Sequence, residues 1–477
     1  MSIAEQTTYM DATAQAEAVQ KGDVSASELL EAAIERVEKL NPELNAVVTT
    51  MYDEARAAIA AGLPEGPFTG VPFLLKDLTA RYAGVPMKCG CKMLKDFVPR
   101  EDTELVTRFK RSGVVIFGKT NTPEFGFAPT TESELYGPCK NPWDTSRIPG
   151  GSSGGSASAI ASGMVAMAHG NDGGGSIRIP AACCGLFGLK PTRARNSLAP
   201  AMGDANGGLA CEHVLTRSVR DSATMLDATE GYVSGDPYCA PPKARPFIDE
   251  VGADPGKLRI AFTVDSPNDR DVHADCKQAV RDAASLCEEL GHTVVEAAPD
   301  YDGQSMARAF STKWLAGAVQ SLDAAAGLHK RKPTEDDMEP MSWGFYEKGL
   351  KIGGADYLKA ADFLQRVARR IARFMEDYDV LLTPTTGEPP LKLGELGPKP
   401  GKPLAGFYRS AQFVPFTAVF NTTGVPAMSV PLHWNDAGLP IGSHFVGRFG
   451  DEATLFRLAA QLEEARPWAD RRPTICA

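Results

Sequence analysis

Glycine and serine crowd together twice between Pro149 and Thr192, and each crowding runs straight into residues that pack. The first cluster is Gly150-Gly151-Ser152-Ser153-Gly154-Gly155-Ser156, followed by alanines. The second is Gly173-Gly174-Gly175-Ser176, followed by Ile177-Arg178-Ile179-Pro180 and then Leu186-Phe187-Gly188-Leu189-Lys190. A flexible linker has glycine and serine without such apolar continuations. A loop that presses backbone against a substrate needs both. Its glycines reach conformations that a Cβ forbids, and its serines supply hydroxyls that serve as nucleophile or relay. The stretch is therefore read as two functional loops, one presenting Ser152 and one presenting Ser176.

The flanking sequence alternates between helical and strand periodicity. Residues 11–40 read as helical: Ser25 and Glu28 have the spacing of a capping box ahead of Leu29, Leu30, Ala33, Ile34 and Val37, and Pro42 is expected to stop the pattern. Residues 70–77 read as a short buried strand, 104–112 as an amphipathic helix and 113–119 as a second buried strand. Further strands are expected at 258–262, from Val294, and at 380–385, 427–432 and 441–446. Helices are expected at 218–232, 275–290, 306–328, 357–378 and 452–465. Residues 387–405, rich in Pro, Gly and Lys, read as a surface loop. The pattern predicts an α/β fold with a largely parallel or mixed sheet. A single domain over 1–477 is expected, with the helical region 300–375 forming a cap or subdomain within it.

Bulk properties exclude several classes. A net charge of -10 over 477 residues argues against a protein that coats nucleic acid. No apolar run approaches the roughly 20 residues that span a bilayer, and the N-terminus lacks the basic region and apolar core of a signal peptide. Ten cysteines without regular spacing fit reduced cytoplasmic thiols rather than a disulfide framework. Cys89 with Cys91, and Cys183 with Cys184, lack C-x-x-C spacing and read as buried thiols, so no metal is expected. Residues 113–120 match a phosphate-loop pattern, but Val114-Val115-Ile116-Phe117 is a buried strand rather than an exposed cradle, and Pro123 stands where the helix should run. His169 reads as a side chain that fixes the loop. A small-molecule substrate is expected, with no cofactor and no nucleic-acid or membrane partner.

Three segments together resemble the amidase signature family of serine hydrolases: Gly150 to Ser156, Gly174-Gly175-Ser176-Ile177-Arg178-Ile179-Pro180, and Gly70-Val71-Pro72-Phe73-Leu74-Leu75-Lys76-Asp77. Ser152 and Ser176 lie 24 positions apart, the family's spacing. The resemblance extends to residues 118–125 and 421–427 and so covers nearly the whole chain. It implies a large mixed sheet flanked by helices on both faces. It also implies Ser176 as nucleophile, Ser152 as relay behind a cis Gly151–Ser152 peptide, and Lys76 as base. The backbone amides of Gly173, Gly174, Gly175 and Ser176 would form an oxyanion hole, with Asp172 and Arg178 fixing the loop by charge-assisted hydrogen bonds.

Chemistry supports these roles. Serine needs a base within reach, and lysine can replace histidine when its pKa falls from about 10.4 toward neutrality. The apolar approach 71–75 suggests the desolvation that does this, and strand alternation points Asp77 to the opposite face. The chain departs from the family at Gly173, where threonine is usual, and at Asn171, where it is frequent; a hydroxyl near the relay serine is therefore missing.

The family's substrates are amides, with some carbamates (urethanes), esters and cyclic oligoamides. The details here resemble members that act on aryl amides, nylon-type cyclic dimers and urethanes. Phe127 and Trp314 align with pocket positions and favour an apolar or aryl substrate, and Arg195 is expected near the pocket mouth. The alternative is the glutamine-hydrolysing A subunit of a tRNA-dependent amidotransferase. Oligomeric state is a family expectation only, a monomer or a homodimer.

Overall fold

The strand Pro72–Lys76 is buried at all five residues, as a Phe-Leu-Leu run must be when both faces of a sheet are covered. Alternate side chains go to opposite faces. Leu74 joins a core with Leu30, Ile34, Val37, Phe117, Ile160 and Ile177. Phe73 and Leu75 join another with Phe109, Val114 and Val214.

The computed structural model describes residues 2–477. Among these residues, eleven strands form one sheet in the spatial order Val47–Thr50, Val115–Thr120, Pro72–Lys76, Met167–Asp172, Cys211–Thr216, Phe187–Lys190, Ala427–Trp434, Pro440–Val446, Val380–Pro384, Arg259–Phe262 and Thr293–Glu296. Pairing is parallel from Val115–Thr120 through Pro72–Lys76 to Met167–Asp172. It is parallel again from Val380–Pro384 through Arg259–Phe262 to Thr293–Glu296. The remaining neighbours are antiparallel. This is the mixed α/β sheet that the sequence predicts.

Ser25 and Glu28 form the expected reciprocal cap on the helix Ala26–Leu44. Pro42 does not end it. A proline in the last turn forfeits one hydrogen bond, and the stop comes from Asn45, left-handed at φ 49, whose amide reaches the Asn41 carbonyl at 2.8 Å. The glycine-serine stretch is also more ordered than two loops. The helix Gly154–Ala161 follows the first cluster, the strand Met167–Asp172 leads into the second, and the helix Arg178–Cys184 leaves it. Residues 113–120 form a strand and not a phosphate loop. Lys119 is fully buried, 3.7 Å from Asp77, and donates to the Pro86 carbonyl at 2.9 Å.

Between the strands Thr293–Glu296 and Val380–Pro384 the chain forms the helices Gly303–Gly327, Pro340–Gly349 and Gly354–Phe374. Trp314, Ala318 and Leu322 of the first pack with Phe345 of the second and with Phe127, which follows the strand Val115–Thr120. This aromatic cluster places the inserted helices over the glycine loops.

Arg195 does not reach a pocket mouth. It is buried, with Nε 3.0 Å from Glu452 Oε1, Nη2 2.9 Å from Oε2, and Nη1 donating to the Pro241 carbonyl at 2.6 Å. A planar guanidinium matches a carboxylate two-pronged, and the helix Glu452–Ala465 supplies that carboxylate. Arg195→Ala leaves Glu452 buried and uncompensated. We expect a loss of about 3–5 kcal/mol in chemical denaturation, with KM for a small amide unchanged in the protein that remains folded.

Candidate active site

Lys76 ends its strand on the same face as Leu74 and is fully buried. Its Nζ lies 2.6 Å from Ser152 Oγ, 3.1 Å from Ser153 Oγ and 2.6 Å from Asn171 Oδ1. Burial lowers the ammonium to about 7, and the carboxylates of Glu212 and Asp172 oppose the shift. Asp77 faces the other way, as strand alternation requires, and accepts from Tyr136 at 2.5 Å. The cup around Nζ orients the neutral amine. Asn171 Oδ1 can only accept, because the amide's Nδ2 donates to Thr79 Oγ1 at 3.0 Å. The Ser153 hydroxyl donates to the Asn171 carbonyl at 3.3 Å, so toward Lys76 it too accepts. A neutral amine has two N–H donors and one lone pair. The two donors are taken by Asn171 and Ser153, and the lone pair faces the Ser152 hydroxyl.

Ser152 follows a cis Gly151–Ser152 peptide, as the resemblance implies. Ser176 sits in the turn between the strand Met167–Asp172 and the helix Arg178–Cys184, and the Ser153 amide donates to its carbonyl at 3.3 Å. The turn is held from below by Asp172 and Arg178, both fully buried. Arg178 Nε and Nη2 each lie 2.9 Å from a different Asp172 oxygen. Asn421 closes the figure. Its Nδ2 donates to Asp172 Oδ1 and to the Asp172 carbonyl at 2.8 Å, and its Oδ1 accepts from Arg178 at 2.8 Å. Burial alone would raise the Asp172 carboxyl; the Arg178 charge overrides it and holds the group well below the usual carboxylate range.

One expected oxyanion donor is otherwise engaged. The Gly175 amide donates to Asp172 Oδ1 at 2.7 Å, which narrows the free set to Gly173, Gly174 and Ser176; none of these three amides meets an acceptor among the described residues. Gly175 itself has φ +135, and a Cβ there would fall 2.4 Å from Thr417 Oγ1. At Gly173, a Cβ would lie 3.2 Å from the Trp314 indole, so a side chain there requires the ring to give by a few tenths of an ångström. At the other departure, Asn171 supplies an amide oxygen to Lys76 at 2.6 Å.

Ser176 and Gly174 open into a cavity of about 780 Å³. Phe127, Phe310, Trp314 and Phe407 line it. Trp314 stacks on Phe310 at 5.6 Å and meets Phe127 edge-on at 6.2 Å. Both predicted pocket aromatics are thus in the wall. Three cations, Arg270, Arg308 and Lys348, line the cavity with one carboxylate, Asp269, and none of the four forms an ion pair among the described residues. On a chain of net charge -10 this is a local reversal of sign.

Sequence reasoning missed several of these groups. Ser153 and Asn171 stand inside motifs already singled out, so their proximity to Lys76 was available as a signal. Phe310 and Phe407 come from helices with no motif, and only the fold brings them to Ser176. His169 lies in a strand, not a loop; its Nδ1 accepts the Lys76 main-chain amide at 3.2 Å.

Known proteins resemble this chain over nearly its whole length. The family model described as Amidase matches residues 28–456. A 6-aminohexanoate-cyclic-dimer hydrolase of Paenarthrobacter ureafaciens is 40% identical over 479 aligned residues, covering 98% of this chain and 97% of that protein. Among solved structures, a 6-aminohexanoate cyclic dimer hydrolase complexed with substrate superposes with a TM-score of 0.94 at 38% identity, covering 98% of this chain and all of the other. A bacterial aryl acylamidase superposes with a TM-score of 0.88 at 28% identity, covering 97% of each chain. The mixed sheet, the paired serine loops and the family match over most of the length lead to one conclusion: the chain belongs to the amidase signature family of hydrolases that cleave carbon–nitrogen bonds other than peptide bonds.

Proposed function

We propose that this chain hydrolyses small apolar or aryl amides and nylon-type oligoamides through an acyl-enzyme on Ser176. The observation that carries the reading is the 2.6 Å contact between a buried, near-neutral Lys76 and Ser152 beside an aromatic cavity that Ser176 enters. Ser176 attacks the scissile carbonyl and passes its proton to Ser152, which passes its own to the Lys76 lone pair. The carbonyl oxygen, now anionic, receives N–H donors from Gly173, Gly174 and Ser176. The C–N bond breaks as the relay returns a proton to the departing amine. Water then attacks the acyl carbon and frees Ser176 by the same path in reverse.

The wall of Phe127, Phe310, Trp314 and Phe407 suits an acyl or aryl group. The cations at Arg270, Arg308 and Lys348 suit linear oligoamides, which end in a carboxylate. Carbamates and esters present the same carbonyl to Ser176 and are included in the proposal. A glutamine-hydrolysing subunit is the second reading. It is disfavoured because the wall of Phe127, Phe310, Trp314 and Phe407 is apolar, whereas a glutamine-reading pocket is polar. All ten cysteines are free thiols, a state that a reducing compartment such as the cytoplasm preserves, and a cytoplasmic location is part of the proposal. Among the described residues, no helix is long and apolar enough to cross a membrane.

Three outcomes test the proposal. Ser176→Ala should lower anilide turnover by roughly a thousandfold or more without changing the thermal midpoint; retained activity in the purified variant would sink the nucleophile assignment. For the wild type, kcat/KM should rise with pH through about 7 and level above it, because only the deprotonated Lys76 accepts a proton; a flat profile across that region would count against lysine as base. Trp314→Ala should cut kcat/KM for an anilide by roughly tenfold, mainly through KM, and affect a short aliphatic amide less. A panel of anilides, carbamates, nylon oligomers, esters and glutamine decides the substrate class, with glutamine-only activity favouring the second reading.

A further inference from the structure

Lys76 is held at its main chain as well as at its amine, and the holding group is a side chain. The strand Pro72–Lys76 pairs with Met167–Asp172 in register only at Leu74 and Ala168. Two residues further on, the Lys76 amide meets the His169 imidazole, where a ladder would supply a carbonyl. That ring is fully buried. Because Nδ1 accepts, the proton must sit on Nε2, and Nε2 lies 2.6 Å from Glu212 Oε2. Glu212, in the strand Cys211–Thr216, is 3% exposed, and its second oxygen, Oε1, is buried with no hydrogen-bond partner. Among the described residues no lysine or arginine pairs with it.

We propose that Glu212 is a positioning residue for the lysine base, acting through His169: its carboxylate fixes the imidazole as the Nε2–H tautomer and leaves Nδ1 as the acceptor that seats the Lys76 amide. Removing the carboxylate allows the proton to move to Nδ1, where it points at the Lys76 N–H. Two donors then face each other in a buried place, at a cost comparable to an unmade hydrogen bond, and the lysine's strand end shifts relative to Ser152. The inference rests on Lys76 being the base.

The carboxylate has a second effect. Among the groups around Lys76, Asp172 is paired with Arg178, and Asp77 and Lys119 pair on the other face. Burial raises the Cys89 thiol, keeping it uncharged, and burial lowers His213, keeping it neutral. Glu212 is left as the carboxylate without a cationic partner, and it favours the ammonium form of Lys76.

Two substitutions separate the effects, with kcat, KM and the pH profile read on one neutral anilide. Glu212→Gln keeps an oxygen acceptor for His169 Nε2–H and removes the charge. The acid limb of kcat/KM should move down by about half a pH unit or more, with KM unchanged. Glu212→Leu removes the acceptor as well; kcat should fall roughly tenfold beyond the Gln variant with KM unchanged. If both variants keep the wild-type kcat and acid limb and differ only in thermal midpoint, Glu212 is merely structural and the proposal fails. A wild-type profile with no acid limb near pH 7 would instead overturn the lysine-base reading, and this inference with it.

Discussion

The glycine amides above Ser176 can face a substrate because the Asp172 carboxylate is turned inward onto Arg178. A chain of small residues has no stiffness of its own, since glycine surrenders more backbone entropy on ordering than any other residue. The stiffness comes from a fully buried ion pair with two matched N–H···O contacts and from Asn421, which bonds both partners. Asn421 is remote in sequence, so the second glycine cluster is anchored to the C-terminal third of the chain. Breaking such a pair leaves a charge stranded in low dielectric, and the turn would lose its shape before it lost any catalytic group.

Lys76 obeys the opposite logic. Arg178 keeps its neighbour charged, whereas the surroundings of Lys76 favour the uncharged amine. The difference lies in what surrounds each cation. Arg178 meets a carboxylate directly; Lys76 meets only neutral oxygens from Ser152, Ser153 and Asn171. Those oxygens stabilise an amine's N–H groups without supplying the charge that would hold a third proton.

Much of this was legible in the sequence where motif and periodicity coincide. The helix Glu452–Ala465 appears with the boundaries its apolar spacing predicts, and Ser25 caps as its spacing to Glu28 requires. The serine loops and Lys76 were readable from resemblance and chemistry together. The strands Met167–Asp172 and Cys211–Thr216 were not, because they bury His169, Asn171, Asp172 and Glu212 where strand patterns carry valine and isoleucine. Their polar groups find partners in other segments, His169 on Glu212, Asn171 on Lys76 and Asp172 on Arg178 and Asn421, and no single segment reveals this. Arg195 was misread for the same reason: its partner Glu452 is 257 positions away. Pro42 was given too much authority because its position within the last turn is invisible until the turn is built.

Most of the aromatic cavity wall comes from a different part of the chain than the proposed reactive groups, Phe127 being the exception. Lys76, Ser152 and Ser176 stand on or beside the strands of the N-terminal half, while Phe310, Trp314 and Phe407 come from helices beyond residue 300. A lineage, or an engineer, can therefore alter much of the wall by rewriting the helices beyond residue 300 while the proposed proton path keeps its residues; Gly173 marks the seam, where the Trp314 indole lies against the glycine loop.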